Sequence, residues 1–98
     1  MNSDLDNRTS RLLERSNKIG VEFLLTDLNT GLTFVEVALT TNSPVNRNRN
    51  IESAVEVYRT VTRLLPRVVP TPLEQMEIEQ KLEDLRLRIR EAGYPDKI

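Results

Sequence analysis

Residues 71–93, TPLEQMEIEQKLEDLRLRIREAG, contain the signals of one complete helix. Thr71 suits the N-cap, Pro72 fits the first helical position, and Glu74 completes a capping box. Apolar residues then recur at steps of four and three, at Ile78, Leu82, Leu85, Ile89 and Ala92. This spacing is typical of a helix with one buried face. Gly93 and Pro95 provide stop signals, so the sequence predicts a helix over about 72–92.

A second helix is predicted over about 51–65. Residues 42–50, NSPVNRNRN, are rich in loop-forming residues and offer Asn50 as an N-cap. Helical spacing of apolar residues follows at Ile51, Ala54, Val55, Tyr58, Val61 and Leu65. Pro66 cannot continue the backbone hydrogen bonding, so the helix is expected to end or kink there.

Upstream, residues 20–41 also follow helical spacing. The apolar positions are Val21, Leu24, Leu25, Leu28, Leu32, Val35, Ala38 and Leu39. The branched residues between Phe34 and Leu39 are compatible with a β-strand. Because a lone strand has no partner in this chain, we favour a helix, although Gly31 costs about 1 kcal/mol relative to alanine in a helix interior.

These segments predict an all-α fold, a three-helix up-down bundle spanning residues 20–92, with 93–98 as a tail. Residues 1–19 form an N-terminal arm for which three states remain open: a separate helix, an extension of the first helix, or disorder. At 98 residues the chain has enough length for one hydrophobic core.

The second predicted helix resembles that of a tetratricopeptide repeat. The resemblance is carried by residues 50–54, NIESA, and by Tyr58, Val61 and Pro66, which supply small, aromatic and proline residues at similar intervals. Gly31 and Phe34 are similar to the glycine and aromatic of that repeat's first helix. The predicted interhelical connection is longer than the repeat's turn, Val61 stands where alanine is usual, and the chain contains one copy only.

With a long third helix added, residues 20–92 also look like the microtubule-interacting and transport domain. That resemblance implies three helices and binding of short helical peptides in the grooves between them. No individual peptide-contacting residue can be transferred from the family to this sequence.

The composition argues against most kinds of catalytic site. The chain contains no cysteine and no histidine, which excludes zinc-thiolate sites and nucleophiles activated by histidine. We therefore expect no catalytic residues, no metal and no cofactor. The N-terminus lacks an apolar signal sequence and the apolar runs are too short to span a bilayer, so a cytoplasmic protein is expected.

Charged residues suggest one alternative role. Between residues 47 and 69, five arginines (Arg47, Arg49, Arg59, Arg63 and Arg67) face two acidic residues. Arg59, Arg63 and Arg67 would share one face if the helix continued beyond Pro66, and could contact an acidic partner or nucleic acid. The net charge of −1 and the four aromatic residues make nucleic acid the less favoured partner. The acidic residues of the third helix are interpreted as surface ion pairs, such as Glu77 with Lys81.

Apolar residues outside the predicted core suggest the main function. Phe34, Val37, Leu64, Val68 and Leu87 all lie off the stripes assigned to the core. A contiguous exposed patch of this kind usually marks an interface. We therefore expect a non-catalytic interaction or scaffolding module that binds a partner helix or forms a homo-oligomer.

Overall fold

Three helices account for most of the chain in the computed structural model, which describes the backbone of residues 2–95 and the side chains of residues 7–95. They are α1 (Asn2–Thr40), α2 (Pro44–Leu64) and α3 (Pro72–Glu91), with a short 3₁₀ turn at Leu65–Arg67. No strand occurs within residues 2–95. The predicted all-α three-helix bundle is confirmed, and the last three residues of the predicted tail lie outside the described residues.

The N-terminal arm belongs to α1, which runs without interruption from Asn2 to Thr40. Of the three states left open by the sequence, the structure shows the continuous helix. No proline and no loop-forming cluster interrupts residues 2–40. The arm is therefore an extension of the first bundle helix, and α1 begins well before the predicted start at residue 20.

The start of α2 differs from the prediction. Ser43, and not Asn50, is the N-cap, and its side-chain oxygen accepts a hydrogen bond from the Asn46 backbone N–H. Pro44 follows at the first helical position, where its missing N–H costs nothing. Asn50 lies inside the helix and donates from Nδ2 to the Asn46 carbonyl oxygen at 2.8 Å. The asparagines and arginines of 44–50 are thus helical, and the α1–α2 connection is only three residues long.

The end of α2 and both ends of α3 agree with the sequence signals. The α-helix stops at Leu64, just before Pro66. The capping box forms in both directions, with Glu74 N–H donating to Thr71 and Thr71 N–H donating to the Glu74 carboxylate. At the C-terminus, Gly93 adopts a φ of 94° and the N–H groups of residues 93 and 94 bond back to Arg90 and Ile89. That pattern is a Schellman motif.

One core joins the three helices, with α1 packed against both others. The buried residues come from every helix: Val21, Leu24, Leu28, Val35, Ala38, Ile51, Ala54, Val55, Val57, Val61, Ile78, Leu85 and Ile89. Gly31 lies where the three helices meet, since an added β-carbon would be 2.8 Å from Val57 Cγ1 and 3.1 Å from Leu85 Cδ2. The lack of a side chain at Gly31 therefore permits the close packing of α1 against both neighbours.

The molecule is elongated, with principal extents of 64 × 21 × 19 Å. A helix of 39 residues is about 58 Å long, so α1 sets the length of the molecule. The connector after α2 crosses α1 at Gly20, where an added β-carbon would lie 2.7 Å from Val68 Cγ1. Residues 7–16 are all exposed, which shows that the arm extends beyond the end of the bundle.

Candidate protein-interaction surfaces

The structure divides the five predicted interface residues into two groups. Val37 and Leu87 are exposed, at 41 % and 51 %. Phe34, Leu64 and Val68 are half-buried and pack against the core. These three residues therefore do not lie off the core, and Val68 packs against α1 at Gly20.

A larger exposed apolar surface lies on the side of α1 opposite the core. Leu12, Ile19, Phe23 and Val37 are exposed at 64 %, 59 %, 50 % and 41 %. With the exposed serine and threonines between them they form what we name the outer stripe: Leu12, Ser16, Ile19, Phe23, Thr26, Thr30, Thr33 and Val37. No charged residue belongs to the outer stripe, although 30 % of the residues in the chain are charged.

Two of the three threonines make the outer stripe less polar than its composition indicates. Thr30 Oγ1 donates to the Thr26 carbonyl oxygen and Thr33 Oγ1 donates to the Asn29 carbonyl oxygen, both at 3.1 Å. Each hydroxyl hydrogen is thus used within the helix, as is common for threonine in helices. A neighbouring helix could cover these side chains without leaving those hydroxyl donors unsatisfied.

Sequence reasoning missed the outer stripe because threonine was not counted as an apolar residue. The signal was present in the spacing, which alternates steps of four and three from Leu12 to Val37. The same periodicity that identified the buried face of α1 also runs along its exposed face.

The segment of the arm next to the bundle has an excess of positive charge beside the outer stripe, whereas Asp4 and Asp6 lie nearer the N-terminus. Residues 7–18 contain Arg8, Arg11, Arg15 and Lys18 and a single acidic residue, Glu14. The part of the arm that extends beyond the bundle, residues 2–16, is about 15 residues long, a length at which an isolated helix is marginal in water. Packing against another chain would add the stabilisation that the bundle does not give to residues 2–16.

Asn17 fixes the point at which the arm leaves the bundle. Its Nδ2 donates to the Val69 carbonyl oxygen at 2.7 Å, and its Oδ1 accepts from the Val69 N–H. One amide therefore satisfies both backbone groups of a connector residue. Leu13, Ser16 and Arg67 lie around the same surface concavity, together with Val68 and Val69.

The five predicted arginine contacts do not form one surface. Arg47 and Arg49 lie near the start of α2, whereas Arg59 and Arg63 lie near its end and share a shallow concavity with Tyr58. Arg59 donates to the Tyr94 hydroxyl at 3.2 Å. Because the α-helix stops at Leu64, Arg67 falls in the 3₁₀ turn and lies beside the arm. The condition for a three-arginine face, a helix continuing past Pro66, is not met.

On α3, neighbouring cations pair with two of the acidic residues. Arg86 contacts Glu83 at 2.6 Å and Arg88 contacts Asp84 at 3.2 Å. The hydrogen bond from Arg86 lowers the pKa of Glu83 below its ordinary value. Lys81 donates to Asn29 Oδ1 at 2.7 Å, so it ties α3 to α1 and does not form the predicted pair with Glu77.

Among the side chains of residues 7–95, no three acidic residues are grouped closely enough to hold a metal ion. Within residues 2–95, no helix combines the length and the apolar composition needed to cross a membrane. Comparison with known protein families, with curated proteins and with solved structures found no match to this chain.

Proposed function

We propose that this protein is a non-catalytic interaction module that binds a helix of another chain along the outer stripe of α1. The observation that carries the proposal is an exposed, uncharged stripe that spans both the arm and the bundle. Exposed apolar residues grouped on one face, with charged residues at its edges, are characteristic of a binding face. Helix-on-helix docking is a common mode of recognition by such faces.

Two further features support an interaction role. The sequence contains no histidine and no cysteine, the residue types that most often act as base or nucleophile near neutral pH. The arm also extends about 22 Å past the bundle, at 1.5 Å per residue. It is therefore accessible to a second chain from several sides.

Contact with nucleic acid or an acidic partner through the arginines is not favoured. Arg47 and Arg63 are separated by 16 residues of one helix, or about 24 Å, and Arg67 faces a different concavity. Charges at this spacing do not provide the concentrated positive surface that binding a phosphate backbone requires.

Three charge substitutions test the proposal on the full chain. Phe23→Glu places a carboxylate in the middle of the outer stripe, and it should abolish both assembly, measured by light scattering, and capture of a partner, measured by affinity purification and mass spectrometry. Val45→Glu is the matched control, because Val45 is 66 % exposed at the start of α2. It should leave assembly and capture unchanged.

Leu87→Glu tests the other predicted interface residue that is exposed, which lies on α3. If Leu87→Glu removes binding and Phe23→Glu does not, the binding face lies on α3 and the proposal for α1 is wrong. If the parent protein neither assembles nor captures a partner, the interaction function itself is wrong. Circular dichroism should show equal helicity in all variants, since each substituted side chain is exposed.

A further inference from the structure

The outer stripe repeats every seven residues. Leu12, Ile19, Thr26 and Thr33 occupy one set of positions, and Ser16, Phe23, Thr30 and Val37 occupy the other. Alternate steps of four and three give a period of 3.5 residues, which is the spacing of residues at the interface of a left-handed coiled coil. The pattern is therefore suited to a long helix lying nearly along α1.

The charged residues beside the outer stripe are arranged asymmetrically along α1. On one edge, each charged residue comes directly before a position of the seven-residue set that contains Ser16, Phe23 and Val37, or before its continuation at residue 9. Arg8 and Arg15 lie in the N-terminal half of this edge, and Glu22 and Glu36 lie in its C-terminal half. All four side chains are exposed. One end of this edge is thus positive and the other negative, so an antiparallel copy of the same helix is complementary to it.

We propose that the occupant of the outer stripe is a second copy of this chain, with the two α1 helices packed antiparallel and Arg15 of each copy facing Glu22 of the other. This inference rests on the proposed function and specifies its partner. In an antiparallel coiled coil, the residues directly before one set of core positions, here the set containing Ser16 and Phe23, face the equivalent residues of the second helix. That geometry places Arg15 opposite Glu22 twice in a symmetric dimer.

This charge pairing determines which core residues meet. With Arg15 opposite Glu22, Leu12 packs against Phe23 of the second copy and Ser16 against its Ile19. The largest exposed apolar residues of the outer stripe are thus brought together near the symmetry axis. Residues 7–16 of each copy lie against residues 19–28 of the other, so each arm packs on its partner's bundle.

A parallel alignment and the nearest antiparallel alignments each place like charges together. Sliding the two helices by one seven-residue repeat brings Arg15 opposite Arg15, or Glu22 opposite Glu22. A parallel alignment places Glu22 beside Asp27 of the second copy. Like charges across such an interface oppose association, and of these alignments only the one with Arg15 facing Glu22 leaves no like-charge pair along this edge. A slide of two repeats also leaves none, because it pairs Arg15 with Glu36 and Glu22 with Asn29. The variants below distinguish that register, because Glu22→Arg would then face an uncharged residue and leave dimerisation unchanged.

The rest of the fold leaves room for the second copy. The buried residues of α1 face α2 and α3, and the outer stripe lies on the opposite side of the helix. Residues 5–30 of the two chains can overlap over about 39 Å of helix. The dimer would be an elongated rod in which the two bundles lie on opposite sides of the paired α1 helices.

Charge reversal provides a test that depends on direction and register. Arg15→Glu makes both facing pairs acidic, and Glu22→Arg makes both basic, so each variant alone should dimerise about tenfold more weakly. An equimolar mixture of the two variants restores two opposite-charge pairs in the mixed dimer. The mixture should recover parental affinity in sedimentation equilibrium, and the double variant Arg15→Glu/Glu22→Arg should recover it alone.

Two control variants reverse charges elsewhere on the arm. Arg11→Glu and Glu14→Arg match the test substitutions in chemistry but lie away from the outer stripe and its charged edges. They should leave dimerisation within about twofold of the parent, since exposed charges outside an interface have small effects. All four positions are exposed, and circular dichroism at low concentration checks that each variant folds.

The outcomes separate this inference from the proposed function. A dimer of twice the 11.3 kDa chain mass whose affinity recovers on mixing supports the antiparallel pairing. A dimer that shows no recovery overturns this pairing but leaves an interaction function in place. A parent that is monomeric at millimolar concentration and captures a different protein through Phe23 overturns self-pairing alone, and a monomer that captures nothing overturns both.

Discussion

The side-chain amide of Asn17 on α1 makes two hydrogen bonds to the backbone of Val69, donating to its carbonyl oxygen at 2.7 Å and accepting from its N–H. The two residues are 52 positions apart in the chain. Beside this contact, Gly20 leaves space for the Val68 side chain. Together they hold the connector between α2 and α3 against α1, at the point where the arm leaves the bundle.

We expect Asn17→Ala to destabilise the protein by about 1 kcal/mol, the net contribution of hydrogen bonds near a surface where water can replace the lost partner. Urea denaturation followed by circular dichroism measures this. Asn48→Ala, at an exposed position of α2, is the control because it gives the same gain in helix propensity. Equal stability of the two variants would show that the Asn17 contact contributes nothing.

Gly31→Ala should destabilise the bundle even though alanine favours helix formation. The new methyl would lie 2.8 Å from Val57 Cγ1, and overpacking of this kind costs about 1–3 kcal/mol. Removing the opposing atoms with Val57→Ala in the same chain should return part of that loss. Thermal melts of the two single variants and the double variant measure the coupling, and simple additivity would contradict a Gly31–Val57 contact.

Asp27→Asn should raise stability at neutral pH. Partial burial raises the pKa of Asp27 above its ordinary value, which means that folding disfavours the ionised carboxylate. Above the raised pKa the folded state carries this penalty in full, and below the ordinary pKa of aspartate both states are protonated and the penalty disappears. The gain from Asp27→Asn should therefore shrink as the pH falls through that range.

The measurement for Asp27 is the melting temperature of parent and variant from neutral to acidic pH. Asp84→Asn serves as a comparison because Asp84 is paired with Arg88, and its loss should not stabilise the fold. A gain from Asp27→Asn that is the same at every pH would point to helix propensity or packing, and not to ionisation, as its cause.

Duplex DNA and RNA should not bind measurably at physiological salt. Arg47, Arg59 and Arg67 lie on separate parts of the surface, and the whole chain has a net charge of −1. Binders whose affinity falls steeply with salt make about six to ten phosphate contacts. Fluorescence anisotropy with labelled duplexes measures this directly, and micromolar binding that weakens with added salt would reverse our preference for a protein partner.

Local sequence signals determined the helices and their sharpest boundaries. The capping box at Thr71 and Glu74, the stop at Gly93 and the break before Pro66 each depend on residues within one turn of one another, so they were predictable and the structure confirms them. Ser43 and Pro44 formed an equally local signal. It was overlooked because the polar residues that follow were interpreted as a loop.

The placement of the helices against one another depended on tertiary structure alone. Spacing placed Phe34, Leu64 and Val68 off the core stripes, and only the tertiary structure shows that they pack against the core and are half-buried. The outer stripe is likewise a seven-residue pattern in the sequence. The outer stripe faces solvent because α2 and α3 pack on the other side of α1 and do not extend along the arm. Burial depends on residues distant in the chain, whereas helix formation depends mainly on neighbours.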